Sequence, residues 1–203
     1  MIIRIKRLKN YFQFAYILFT NRFIFFEEWY ISRNPTVSEL VTTKQYQNAL
    51  WHYLLVGAKS GFNPNPYFYE TWYLENNVDV AQTIKTGEFL CGFQHFLING
   101  RFEKRDPSPY FSYENYFYDM GIPEYKTINH REDPFLIFIK NKFQENPNPI
   151  LQENSQEAMG EFNKNAQYRQ PDEIINAILK MDTNLSKLIL LQYLKTVYEE
   201  LDI

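Results

Sequence analysis

Two stretches of this chain carry nearly the same residues 43 positions apart, and that recurrence restricts the fold more than any other feature. Trp29-Tyr30-Ile31, Asn34 and Val37 return as Trp72-Tyr73-Leu74, Asn77 and Val80, while His52-Tyr53-Leu54 and Gly57 return as His95-Phe96-Leu97 and Gly100. A fixed period of this length marks a repeat architecture, in which aromatic and histidine positions belong first of all to the packing of the units. The second half of each copy carries one apolar stripe at i, i+4, i+7 and i+8: Tyr46, Leu50, Tyr53 and Leu54, then Phe89, Phe93, Phe96 and Leu97. Both stripes have the spacing of a helix face.

Gly57 and Gly100 follow three residues later, where a left-handed C-cap residue is expected. Loops over 57–66 and 100–109 come next, ending in Asn63-Pro64-Asn65-Pro66 and Asp106-Pro107-Ser108-Pro109, whose alternating prolines forbid helix. A shorter helix then carries Phe68, Trp72 and Tyr73, matched by Phe25, Trp29 and Tyr30 before it and by Phe111 and Tyr116 after it. The expected fold class is therefore all-α: tandem helix-turn-helix repeats joined by rigid proline loops, plus a long C-terminal helix. A third copy is degraded. Asp133-Pro134 reads as N-cap and first helical residue, and Asn141 or Lys142 stands where glycine was, a decay expected of a terminal repeat with no neighbour on one side.

The chain divides into a basic and aromatic N-terminal helix (1–22), a repeat domain (23–149, in units of about 23–66, 67–109 and 110–149), a polar linker (150–170) and a C-terminal helix (171–203). The linker is rich in Asn, Gln and Glu and too polar to bury much. Pro171-Asp172-Glu173 then starts a helix whose Ile174, Ile178, Met181, Leu185 and Leu188 alternate by four and three, a coiled-coil-like seam that shifts phase at Leu191. That helix either packs back on its own domain or joins two copies into a homo-oligomer.

Charge is unevenly placed. Residues 1 to 26 hold Arg4, Lys6, Arg7, Lys9 and Arg22 with no acid, so the remainder carries −8 of a net −3. An acidic remainder disfavours nucleic acid as a partner. The apolar run Tyr11 to Phe19 is too short to span a bilayer and lacks a small-residue cleavage site, so neither secretion nor spanning is expected. Two readings of this end are open: a helix lying on an anionic membrane surface with Arg4, Lys6, Arg7 and Lys9 towards the headgroups, or a first helix packed on the repeats. A single cysteine, Cys91, gives no disulfide framework, and a cytoplasmic setting, peripheral at the inner face of the membrane in the first reading, is expected.

Chemistry-bearing patterns are few. Gly57-Ala58-Lys59-Ser60 lacks the upstream glycine and strand of a phosphate loop, no nucleophile elbow or metal spacing occurs, and no cofactor is implied. His52 and His95 are expected to be structural, hydrogen-bonded near helix ends. Glu27-Glu28, Glu132-Asp133 and Glu199-Glu200 are adjacent residues that do not face each other on a helix, and read as solvated charge. Aromatics reach 18% of the chain, which raises saccharide stacking; Tyr69, Phe102 and Tyr113, beside the proline loops, are the expected exposed rings.

Phe25-Phe26-Glu27-Glu28-Trp29-Tyr30, Asn48 to Gly57 and the Asn-Pro-Asn-Pro and Asp-Pro-Ser-Pro loops resemble tandem repeats that accompany bacterial glycosyltransferases and surface-polysaccharide biosynthesis proteins. The similarity covers about residues 23–149. It departs where Phe26 and Tyr69 replace the usual aspartate, where Phe62 replaces the usual basic residue after Gly61, and throughout the third copy. No catalytic domain accompanies the repeats within these 203 residues. What the resemblance implies is a non-catalytic interaction or targeting module with a protein partner in glycan assembly; a lectin-like glycan-binding module and a self-assembling structural protein are the alternatives.

Overall fold

The computed structural model describes residues 2–121 and 133–146, with side chains from Asn10 onward. The linker 150–170 and the C-terminal seam of Ile174, Ile178, Met181, Leu185 and Leu188 lie outside the described residues. Within them the fold is all-α, with a lone β-bridge between Ser108 and Phe111.

A long helix, α1 (Ile2–Thr20), leads through a 3₁₀ turn (Arg22–Ile24) into α2 (Glu27–Arg33), α3 (Pro35–Thr42) and α4 (Ala49–His52), which continues as a π-helical turn (Tyr53–Gly57). The same sequence of elements follows as α5 (Glu70–Asn76), α6 (Val78–Lys85), α7 (Gly92–His95) and a second π-helical turn (Phe96–Gly100). Then come α8 (Tyr113–Asp119) and α9 (Pro134–Glu145). Start residues of α2 and α5, and of α4 and α7, differ by the 43 residues of the sequence period.

Local chemistry sets these boundaries. Asn48, Cys91 and Asp133 cap α4, α7 and α9 by accepting from the N–H three residues on, at 3.1, 3.4 and 3.0 Å. Pro35 and Pro134 take the first turns of α3 and α9, where no N–H is needed.

The C-termini correct the glycine expectation. Gly57 and Gly100 are not left-handed; in the first two segments positive φ falls instead at Lys44 (59°), Gly61 (80°), Gly87 (79°) and Lys104 (56°). At each of these the next residue's N–H reaches back five residues and its own N–H three, as in Phe62 to the Gly57 carbonyl (2.9 Å) and Gly61 to the Ala58 carbonyl (3.2 Å). These are Schellman turns, so the helical path runs about one turn beyond the expected glycine, and the expected loops begin late.

Gly57 and Gly100 are glycine for another reason. A Cβ there would stand 2.2 Å from the hydroxyl of Tyr30 or Tyr73, so the missing side chain makes room for a tyrosine.

The core is a lattice of rings. Phe25 meets Tyr53 at 5.5 Å, Phe68 meets Phe96 at 5.5 Å and Phe111 meets Phe138 at 5.1 Å, the same contact in three successive segments. Tyr53 on Phe93 (6.3 Å) and Phe96 on Phe135 (4.9 Å) join one segment to the next. Offset and edge-on pairs of this kind add to the area they bury.

The third segment has a neighbour on its far side, which the picture of a terminal cap omitted. α9 packs on the Arg22–Ile24 turn, with Phe143 against Phe26 at 5.0 Å and Phe138 against Tyr67 at 5.2 Å. The last described helix thus returns to the first segment, and the described bundle closes on itself.

α1 crosses the first two segments. Phe14 is fully buried between Tyr53 and Phe93, Phe19 meets Trp51 at 5.0 Å, and the Asn10 side chain donates to the Glu88 carbonyl at 3.0 Å. Tyr11, Phe12, Ala15 and Leu18 are buried with it. Of the rings that a membrane-surface helix would lay among the headgroups, Tyr11, Phe12 and Phe14 are therefore inside the protein, Phe19 is half-buried and Tyr16 is exposed. Among the described residues no helix is long and apolar enough to cross a membrane.

Candidate functional site

The histidines sit in matched locks. Tyr30 OH and His52 Nδ1 are 2.9 Å apart, and Tyr73 OH and His95 Nδ1 are 3.0 Å apart. Each lock ties the first helix of a segment to its last, with Gly57 or Gly100 against the tyrosine hydroxyl. A second ring stands edge-on to each imidazole, Tyr46 at 5.1 Å and Phe89 at 4.9 Å. Burial pushes His52 down to about 4 from its ordinary 6.5, and lowers His95 for the same first cause. His52 is fully buried and neutral, and its role in this geometry is to hold helices together.

Carboxylates repeat the pattern. Glu70 is buried and accepts from the Gly92 and Phe93 N–H groups, closing the start of α7 beneath it. Desolvation pushes its carboxyl up to about 7, against the lowering effect of those two donors. Tyr53 and Cys91 lie close enough to feel its charge, and burial raises both well above their ordinary values. Glu27, its counterpart, is half-buried and accepts from Ala49 N–H at 3.0 Å through Oε1 only.

Where the second segment meets the third, the tie is ionic. Arg101 Nη1 donates to Asp133 Oδ2 at 3.0 Å, and its Nε donates to the Leu97 carbonyl at 2.7 Å. Both side chains are buried, Arg101 to 3% exposure and Asp133 to 0%. Arg105 forks onto Asp79 at 2.8 and 2.7 Å and reaches Asn77 at 2.9 Å; Phe62 takes its place in the first segment and packs on Tyr30 and His52.

The rings expected at the surface are not together there. Tyr69 is 9% and Tyr113 1% exposed, because their backbone N–H groups are tied to the Pro107 carbonyl and the Asp106 carboxylate, turning both residues inward at helix starts. Phe102 is half-buried beneath the Arg101 guanidinium at 4.4 Å. Among the described residues the exposed rings are Tyr110, Tyr118 and Tyr16. Arg4, Lys6, Arg7 and Lys9 fall in the first half of α1, ahead of the described side chains.

One cleft opens where the bundle closes. Arg22, Phe25, Glu27, Glu28 and Phe143 line a half-open space of about 420 Å³ between the start of α2 and the end of α9. The sequence gives no sign of it, because Phe143 is brought to Glu28 only by the return of α9. Among the described residues no group of three His, Cys, Asp or Glu is placed to hold a metal. Comparison of the chain with protein-family models, curated proteins and solved structures returned no match.

Proposed function

We propose that this chain is a tandem-repeat interaction module, without catalysis of its own, that serves bacterial surface-polysaccharide assembly by holding a protein partner. The observation that carries the reading is the internal use of its recurring polar and aromatic residues: tyrosine, histidine, glycine and capping side chains lock helices to each other at 43-residue spacing. That recurrence supports three proline-loop units over 23–149, with the Pro64 and Pro107 carbonyls each accepting from the start of their own unit, Phe26 and Tyr69, at 3.2 and 3.1 Å. The glycan setting rests on the resemblance of the motifs alone.

The test is made in the host. A tagged chain should co-purify with a glycosyltransferase of polysaccharide assembly, and deletion of the gene should lower surface polysaccharide; intact polysaccharide together with no transferase in the complex rejects the reading. An inner-face membrane contact through Arg4, Lys6, Arg7 and Lys9 belongs to the same proposal. Flotation with anionic liposomes should fail when all four are changed to Gln. Self-association through residues 171–203 would appear as a fall in mass by light scattering when that segment is removed.

A further inference from the structure

Arg101 with Asp133, Arg105 with Asp79 and Glu70 with two backbone donors are matched charges among the described residues. The charges around the cleft at the closure are not paired with one another. Arg22, Glu27 and Glu28 line the same space, yet none forms an ion pair with another described residue, and Glu27 Oε2 has no hydrogen-bond donor among them. Arg22 rests its guanidinium 5.7 Å from the Phe19 ring, and Glu28 is exposed. Two phenyl rings, Phe25 and Phe143, supply the apolar part of the lining.

The comparison with the second segment shows why the space exists. Glu70 uses both its oxygens on the backbone and is sealed, whereas Glu27 uses one and is left half-open at the seam. Thr71 stands where Glu28 does, so the second acid belongs to this cleft and not to the repeat pattern.

We infer that this cleft binds a small polyhydroxylated ligand of the mono- or disaccharide class, neutral or carrying an amino group. Two carboxylates accept hydrogen bonds from adjacent hydroxyls, charge-assisted and therefore strong. The guanidinium donates to ring or hydroxyl oxygens, and the half-buried Phe143 ring takes the C–H side of a pyranose, with the buried Phe25 as the floor behind it. A space of about 420 Å³ lies in the size range of small-ligand clefts. Among the described lining residues two acids face one base, which sets the cleft against phosphates, uronic acids and other anions.

The experiment is titration of the full chain, followed by two-dimensional NMR, with a panel of neutral, amino and uronic mono- and disaccharides and with tetramethylammonium as a plain cation. Neutral or amino sugars should shift resonances of Arg22, Glu28 and Phe143, and uronic acids should bind more weakly. Glu28→Gln and Arg22→Ala, both at exposed positions, should each weaken the best ligand by about tenfold or more, in keeping with the loss of a charge-assisted bond. The inference is overturned by no shift at sugar concentrations of about 10 mM, by binding that both variants leave unchanged, or by tetramethylammonium binding as well as any sugar. Sugar binding by the isolated chain and transferase capture in the host are separate readouts, so either can fail alone.

Discussion

The first two segments and the third hold their helices in different ways. In the first two, a tyrosine hydroxyl meets a buried histidine and a glycine lets it in; the last helix of each unit widens into a π-helical turn at that point. In the third, Tyr116 is in place but Ile137 and Lys142 stand where histidine and glycine would be, and α9 runs as a regular α-helix of 12 residues. Its anchorage is Asp133, which caps α9 and pairs with Arg101 in the same stroke. Losing the lock therefore goes with a straight helix and an ionic tie. The π turn belongs to the lock, where it accommodates a side chain pressed on the backbone.

The sharpest test cuts the ionic tie. Asp133→Ala removes a cap and takes from the buried Arg101 guanidinium its carboxylate partner, and should cost about 3–5 kcal/mol in urea unfolding. Replacing both partners with apolar residues of like size should restore most of that loss.

Acid next separates two buried groups of the first two segments, the His52 imidazole and the Glu70 carboxyl. The depressed pKa of His52 makes its contribution complete above 6.5 and lost as pH falls towards 4; the raised pKa of Glu70 makes its contribution complete below 4.5 and lost as pH rises through about 7. Each is worth on the order of 3 kcal/mol across its window, with opposite sign. Glu70→Gln should therefore steepen the fall in stability between pH 7 and 4, read by denaturant midpoint. An unchanged slope would mean that Glu70 is not sealed as described.

Gly100→Ala should destabilise by about 2–3 kcal/mol through overpacking, and Tyr73→Phe in the same chain should recover part of it by removing the struck hydroxyl. If the two changes are additive, the glycine has some other purpose. Smallest is the contrast of single hydroxyls. Tyr30→Phe or Tyr73→Phe should cost about 1–2 kcal/mol, since a buried imidazole nitrogen loses its partner, while Tyr116→Phe should change stability by less than about 0.5 kcal/mol.

Much of this was legible in the residues. The 43-residue spacing set the helix starts, Asp133-Pro134 announced the start of α9, and Leu50, Tyr53 and Leu54 with Phe93, Phe96 and Leu97 marked the buried face, while Tyr46 and Phe89, read as the first members of the same stripes, precede the caps of α4 and α7. The glycines misled because one residue type has two uses: conformational freedom at a helix end and mere smallness beside a ring. Gly57 and Gly100 recur together with Tyr and His, whereas the left-handed sites trade lysine for glycine, Lys44 with Gly87 and Gly61 with Lys104, and so leave no constant letter to read. Tyr69 and Tyr113 were misplaced for a different reason. Adjacency to a loop in sequence says nothing of backbone bonds that turn a side chain inward. The cleft was invisible because it forms between residues from opposite ends of the described chain.

The return of α9 to the Arg22–Ile24 turn also ties the first and last described segments to each other at a set spacing. An open solenoid tolerates the insertion or loss of a module, since each one asks only for neighbours above and below. Here a helix pair inserted between α2 and α9 would push Phe143 away from Phe26, and one removed would leave that ring facing water, so the described segments are locked in place by their own geometry.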